Sequence, residues 1–215
     1  MKMFTGSILQ MANGWTREMF HVKHGEKQMQ KNKTYSVEIT GLTAEGAGVA
    51  RIDGQVVFVP GVIPDERCEI RIDHVGRTCA YGSLVRVEKP SEHRVTPECE
   101  SFGHCGGCVF WHMDYACELE QKRRRVQDAL SRIGGIDFPD LQITGSESIY
   151  GYRNKVQFPV QVQNGKAVAG FYKAGSHTVI PITDCKIQPE VAKTIRAAVL
   201  SWMEKENVPA YDERT

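Results

Sequence analysis

The sequence lacks most of the signatures that announce an enzyme. It has no glycine-rich strand–turn–helix fingerprint for a dinucleotide, adenosylmethionine or triphosphate, and the segment Gly103-His-Cys-Gly-Gly107 lies among cysteines instead. It has no Gly-x-Ser-x-Gly, no His-Glu-x-x-His and no carboxylate pair that stands out, so the residues by themselves name no catalytic apparatus. No apolar run approaches the roughly 18 residues of a membrane-spanning helix, and no membrane contact is expected. Charge of one sign is not in excess either: 27 Lys and Arg face 26 Asp and Glu, for a formal net charge of +1. A nucleic-acid surface would therefore have to be a local patch. No apolar signal stretch opens the chain, and seven cysteines in 215 residues is an odd count. Both argue against a secreted disulfide scaffold and for reduced thiols in the cytoplasm.

What the sequence does contain is a cysteine loop. Cys99-Glu-Ser-Phe-Gly-His-Cys105-Gly-Gly-Cys108 holds three thiols within ten residues, and Cys185 waits far down the chain in Pro181-Ile-Thr-Asp-Cys185. The two glycines let the backbone curl round a small centre and turn its N–H groups toward sulfur. A Gly-Gly turn has no side chains with which to pack, so chance core thiols are the weaker reading. Four thiolates suit tetrahedral zinc and an iron–sulfur cluster alike. Three local ligands with one distant fourth lean slightly toward a cluster and leave zinc open. His104 and Cys117 are rival fourth ligands; one sits inside the loop, the other in a helical pattern, and both read as bystanders.

Taken in order, residues 1–33 carry scattered apolar positions without a period and read as a mobile arm, in which Met19 or Met29 would serve equally well as the start. From Tyr35 the period changes to two: Val37 and Ile39, Val49, Val56 and Phe58, Cys68 with Ile70 and Ile72, then Val85 and Val87. These predict five short strands separated by Gly46-Ala-Gly48, Asp53-Gly54, Pro60-Gly61 and Pro64-Asp65. Residues 34–90 are expected to close into a small OB-like barrel, which removes exposed strand edges. Residues 91–215 are expected to form an α+β domain with antiparallel strands, so the fold class is β-rich α+β.

Within that domain Met113 to Ile133 reads as a helix, with Leu119, Val126, Leu130 and Ile133 on one face. Its middle carries Lys122, Arg123, Arg124 and Arg125, either a phosphate-binding patch or simply a solvated face. A second cluster, Arg153, Asn154 and Lys155, opens a β region running from Val156 to Val162. Tyr150, Tyr152, Phe158, Phe171 and Tyr172 accompany it and could stack bases or fill a core. Asn154 could read a base edge or cap a turn. Asn164-Gly165 predicts a tight hairpin into Ala167–Tyr172, and Thr178–Ile182 a third strand leading to Cys185. Pro189 opens a last helix with Val191, Ile195, Val199 and Trp202 on one face. The ending at Tyr211-Asp-Glu-Arg-Thr215 reads as cut rather than finished. RNA is the partner these features suggest.

The order of barrel, Cys-x5-Cys-Gly-Gly-Cys, Tyr152-Arg-Asn-Lys155, Gly170-Phe-Tyr172, Ser176-His177 and Cys185 resembles the bacterial RNA uracil-C5 methyltransferases of the 23S rRNA type. The resemblance implies that the barrel is a TRAM domain. It implies further that Cys99, Cys105, Cys108 and Cys185 hold a [4Fe–4S] cluster, and that 23S rRNA is the partner of a cytoplasmic, monomeric protein. In that family a Rossmann-like domain binds S-adenosylmethionine. Its methyl-donor site, its nucleophilic cysteine after a proline and its general-base glutamate find no match here, and none of the seven cysteines follows a proline. The expectation is thus a chain from which the methyltransferase domain is absent and which is inactive alone, with S-adenosylmethionine entering only through that missing domain. A stand-alone RNA-binding module with a structural zinc or iron–sulfur centre is the alternative, and a redox sensor a third reading.

Overall fold

A computed structural model describes residues 29–211; residues 1–28 of the expected arm, Met19 among them, lie outside the described residues. Six strands form the first sheet: β1 (Thr34–Glu38), β2 (Gly41–Leu42), β3 (Gly48–Ile52), β4 (Gln55–Val59), β5 (Arg67–Val75) and β6 (Cys79–Lys89). Their order is β1-β5-β6-β4-β3-β2, with β4 parallel to β6 and every other pair antiparallel. β1 and β2 are one bent run that closes the sheet on itself. β1 pairs with β5, and just beyond it the Thr40 N–H donates to the Val49 carbonyl of β3 at 2.8 Å. The turn between β3 and β4 has positive φ at Asp53 and Gly54 (49° and 83°), the geometry whose twist suits a two-residue hairpin.

The barrel core is Val37, Ile39, Ala50, Val57, Val59, Cys68, Ile70, Ile72 and Ala80. In β4 this is the opposite phase to the one expected: Val57 and Val59 point inward, while Val56 and Phe58 are half-buried on the outer face. The segment Gln55-Val-Val-Phe-Val59 is apolar on both faces, so a period of two could not choose between them. Val85, expected to share an inner face with Val87, is 51% exposed. Met29, assigned to the arm, is buried in the core.

The remaining residues form a second sheet of β7 (Val160–Gln163), β8 (Lys166–Tyr172) and β9 (Val179–Pro181) in that order, with helices α1 (Tyr115–Asp128) and α2 (Glu190–Lys205). The β7–β8 hairpin turns at Asn164 and Gly165 (φ 52° and 76°), with Gln163 opposite Lys166, as its sequence predicts. The strand expected from Val156 begins only at Val160, because Pro159 has no N–H to give to a ladder. α1 is shorter than expected and ends in a π-helical turn at Ala129–Ile133. Its expected apolar face is largely wet, with Val126 48% and Ile133 88% exposed, and its buried residue is Cys117. α2 likewise exposes Val191, Ile195, Val199 and Trp202 and buries Met203. No helix among the described residues is long and apolar enough to cross a membrane.

The barrel and the second unit meet at a packed junction. Ile63, Met113 and Cys117 form a small core with Leu42 and Phe110. Beside it the fully buried Glu66 accepts both arms of the Arg94 guanidinium, the Nη2 arm at 2.8 Å, and also the Ile63 N–H at 3.0 Å. Arg94 donates further to the Gly61 carbonyl at 3.0 Å. Asp114 caps α1 by accepting the Cys117 N–H at 2.7 Å, and its other oxygen faces His93 Nδ1 at 2.8 Å.

That hydrogen bond raises the His93 pKa above its ordinary 6.5. Burial pushes the Asp114 carboxyl up, but the Cys117 N–H and His93 together bring it below its ordinary value. The His93 contribution is therefore complete below its unfolded pKa and is lost as pH rises through the raised folded value, while that of Asp114 persists until strong acid. Asp114→Asn keeps the cap and removes the pair. Its melting temperature should lie below wild type at about pH 5.5, with the gap closing by about pH 9. A gap that does not change with pH would remove His93 from the account.

Candidate nucleic-acid interface and cysteine centre

The second sheet carries Cys185 to the cysteine loop. Cys105 bridges Lys173 just past β8, and the Gly106 N–H donates to the Tyr172 carbonyl at 3.0 Å. A Cβ on Gly106 would meet the Ala174 nitrogen at 3.0 Å and the Tyr172 oxygen at 3.1 Å, so a side chain there would hold the loop away. On the other side the Gly151 and Arg153 N–H groups donate to the carbonyls of Lys186 and Ile187, which lays residues 151–153 against the segment after Cys185. As a result Cys99, Cys105, Cys108 and Cys185 line one small cavity together with Phe102, Phe171, Ile182 and Arg153.

Within that cavity the Gly107 N–H points at Cys105 Sγ, 3.3 Å away. Burial, then the charges of Cys185, Cys105 and Cys99, push the Cys108 thiol up to about 11, and Arg153 opposes them. All seven cysteines are free thiols. Among the described residues no three or more His, Cys, Asp or Glu side chains are gathered as for a metal ion; the four cysteines share the lining of the cavity. His104 is exposed in the loop, and Cys117 belongs to the junction core.

The two basic clusters differ. On α1, Lys122 is paired with Glu118 at 2.6 Å, Arg123 and Arg124 both hold Glu120 at 2.8 and 2.6 Å, and Arg125 reaches the Ala44 carbonyl of the barrel at 3.2 Å. Hydrogen bonds from Arg123 and Arg124 draw the Glu120 pKa down to about 2. Such pairs are worth little to stability, but two carboxylates against four cations halve the charge of the patch. Arg153, Asn154 and Lys155 are exposed in an irregular stretch, with Arg153 also on the cysteine cavity.

Lys122 and Tyr152 share a cleft of about 590 Å³ whose walls include Trp111, Tyr150, Glu98 and Glu118. The rings of Trp111 and Tyr150 stand 5.8 Å apart, tilted by 56°. Trp111 escaped the sequence reading because it is a single ring in a loop with no period to mark it. The expected stacking rings split: Phe158 packs on Phe171 under Arg196, Tyr172 stacks on His177, and Tyr152 is 62% exposed.

Residues 28–85, a span that takes in most of the closed sheet, match the TRAM domain family. A Clostridium tetani protein named as an RNA methyltransferase is 42% identical over 186 residues, 86% of this chain and 40% of its own length. An Oceanobacillus iheyensis RNA methyltransferase is 38% identical over 189 residues, 87% of this chain and 41% of its own. The chain is a TRAM-domain relative of RNA methyltransferases. It spans about two fifths of the length of these relatives. In fold it is similar to the Pyrococcus abyssi tRNA (uracil-54, C5)-methyltransferase, solved with S-adenosyl-L-homocysteine, at a TM-score of 0.56 over 80% of this chain and 37% of that one, with 20% identity.

These matches correct two expectations. The chain was expected to lack a methyltransferase domain and to be an inactive fragment. Instead 86% of it aligns with a protein named as an RNA methyltransferase and 80% superposes on the fold of another, so most of the chain has a counterpart within such proteins. The expectation failed because it rested on motifs sought and not found, and short motifs are a poor measure of kinship over a whole chain.

Proposed function

We propose that the protein serves as an S-adenosylmethionine-dependent RNA uracil-C5 methyltransferase acting on 23S rRNA, with residues 34–90 as its RNA-gripping barrel and residues 91–215 as a second domain built round a [4Fe–4S] cluster. The observation that carries the reading is the convergence of Cys99, Cys105, Cys108 and Cys185 on one cavity directly after a TRAM barrel. The residues fit the cluster. Four cysteines line one cavity, an N–H points at one sulfur, and Arg153 offsets the negative charge that four thiolates bring. Such a cluster, with all four positions taken by thiolates, would be structural, fastening the segment after β9 to the cysteine loop. S-adenosylmethionine supplies the methyl group in such enzymes.

For RNA, Arg153, Asn154 and Lys155 are the exposed cluster, whereas Lys122, Arg123 and Arg124 would first have to release Glu118 and Glu120, and Arg125 the Ala44 carbonyl. Mass spectrometry of RNA from cells with and without the gene tests the activity. Loss of 5-methyluridine from 23S rRNA is expected, and loss from tRNA alone would overturn the ribosomal assignment. Anaerobically purified protein should contain iron and sulfide, Cys185→Ser should lose most of the iron, and Cys117→Ser should keep it. Zinc without iron would refute the cluster.

A further inference from the structure

The outer face of the barrel carries a row of rings that runs across three strands. Phe58 of β4 lies opposite Tyr81 of β6, and Tyr81 lies opposite His74 of β5. Residues in register share a face of the sheet; a bulge between Ile72 and His74 turns His74 outward, and the inner face is occupied by the neighbours Val57, Val59, Val75 and Ala80. The ring centroids are 5.7 Å apart for Phe58–Tyr81 and 6.4 Å for His74–Tyr81, and Tyr81 is 51% exposed. An exposed tyrosine between two further rings on a sheet is poor use of apolar area unless something lies on it.

Charge says what that is. At one end of the row Gln55 at the start of β4 ties to the β5–β6 turn, donating to the Gly76 carbonyl at 2.8 Å, and two exposed arginines stand there, Arg51 near the end of β3 and Arg77 in that turn. Among the described residues Arg51 donates to the Gly54 carbonyl alone, at 3.2 Å. Among the described residues neither arginine is in an ion pair with a carboxylate, unlike Arg67, Arg71 and Arg86 on the same barrel. On α1, Lys122, Arg123 and Arg124 are engaged by Glu118 and Glu120 and Arg125 by the Ala44 carbonyl, and the Trp111 cleft has Glu98 and Glu118 in its wall. Rings beside unpaired cations favour a polyanion with flat faces.

We infer that the Phe58–Tyr81–His74 row is a stacking platform for unpaired bases of single-stranded RNA, with Arg51 and Arg77 meeting the phosphates at its end. The inference rests on the RNA-binding reading above and deepens it by naming the surface and the form of RNA. Stacking on rings is tolerant of sequence, so the platform holds an opened strand without choosing the base.

Binding of the full chain to a short unstructured oligouridylate, followed by fluorescence anisotropy at several salt concentrations, tests it. Tyr81→Ala should weaken binding by about 5- to 100-fold without changing the salt slope, and Tyr81→Phe should retain most of the affinity. Arg77→Ala should lower the slope by about 0.7. Ultraviolet cross-linking of a 5-bromouridine oligonucleotide to the wild-type chain, mapped by mass spectrometry, should mark Tyr81 or its row and does not depend on any variant folding. Wild-type binding with an unaffected Tyr81→Ala and cross-links elsewhere would overturn the platform and leave RNA binding to other surfaces. No binding by the wild type would overturn both.

Discussion

Gly170→Ala should be among the most damaging single-methyl changes in this chain. Gly170 lies in β8 opposite Pro181 of β9, and a Cβ there would fall on the Ile180 carbonyl oxygen, with the Ile182 nitrogen 3.1 Å away. Backbone cannot step aside as a flexible side chain can, so β8 and β9 must part. Overpacking of this kind costs about 3 kcal/mol. At this chain length that lowers the melting temperature by roughly 6–12 °C. The loss should not stay local, because β9 delivers Cys185 to the cavity that it shares with the cysteine loop. Iron retention should fall along with stability, while the barrel, which shares no strand with this sheet, should keep its protection in hydrogen exchange. A variant that melts like the wild type would mean that β8 and β9 are not in this register.

Glu66→Ala is the second large effect, and it acts at the junction. The carboxylate is buried, holds both arms of Arg94 and accepts the Ile63 N–H. Removing it leaves a cation only 24% exposed without its partner and a buried N–H without an acceptor. Breaking a buried pair from one side destabilises by about 3–5 kcal/mol, and the lower end applies because Arg94 keeps some solvent and the Gly61 carbonyl. Glu66→Gln should recover part of the loss by retaining an acceptor for Ile63. Chemical denaturation of the three proteins measures this. Equal stability of Glu66→Ala and wild type would show that Arg94 is solvated, not bound.

How much of this was legible in the sequence depended on how local the deciding interaction is. Asn164-Gly165 specified its hairpin because both residues tolerate positive φ and the loop needs nothing else. The spacing of Cys99, Cys105 and Cys108 was readable for the same reason, as was the alternation in Cys68-Glu-Ile-Arg-Ile72, where polar residues mark the outer face. In β4 no polar residue marked it, and Phe58 was assigned to the wrong side. With that error the ring row across β4, β6 and β5 could not be seen at all, since it exists only once strands far apart in sequence are set in register.

The same division separates charge from function. Sequence alone determined that cations cluster at Lys122–Arg125 and that the chain is nearly neutral. Glu118 and Glu120 stand three or four residues before Lys122, Arg123 and Arg124, so those pairs follow from the helix that the sequence already predicts; only the tertiary structure decided that Arg51 and Arg77, among the described residues, meet no carboxylate, because that depends on which side chains the fold brings within reach. Sequence alone marked Cys185 as a candidate fourth thiol. Its place beside the other three was decided by the approach of Gly106 to the Tyr172 carbonyl and by the β8–β9 ladder, contacts between segments far apart along the chain that no local pattern encodes.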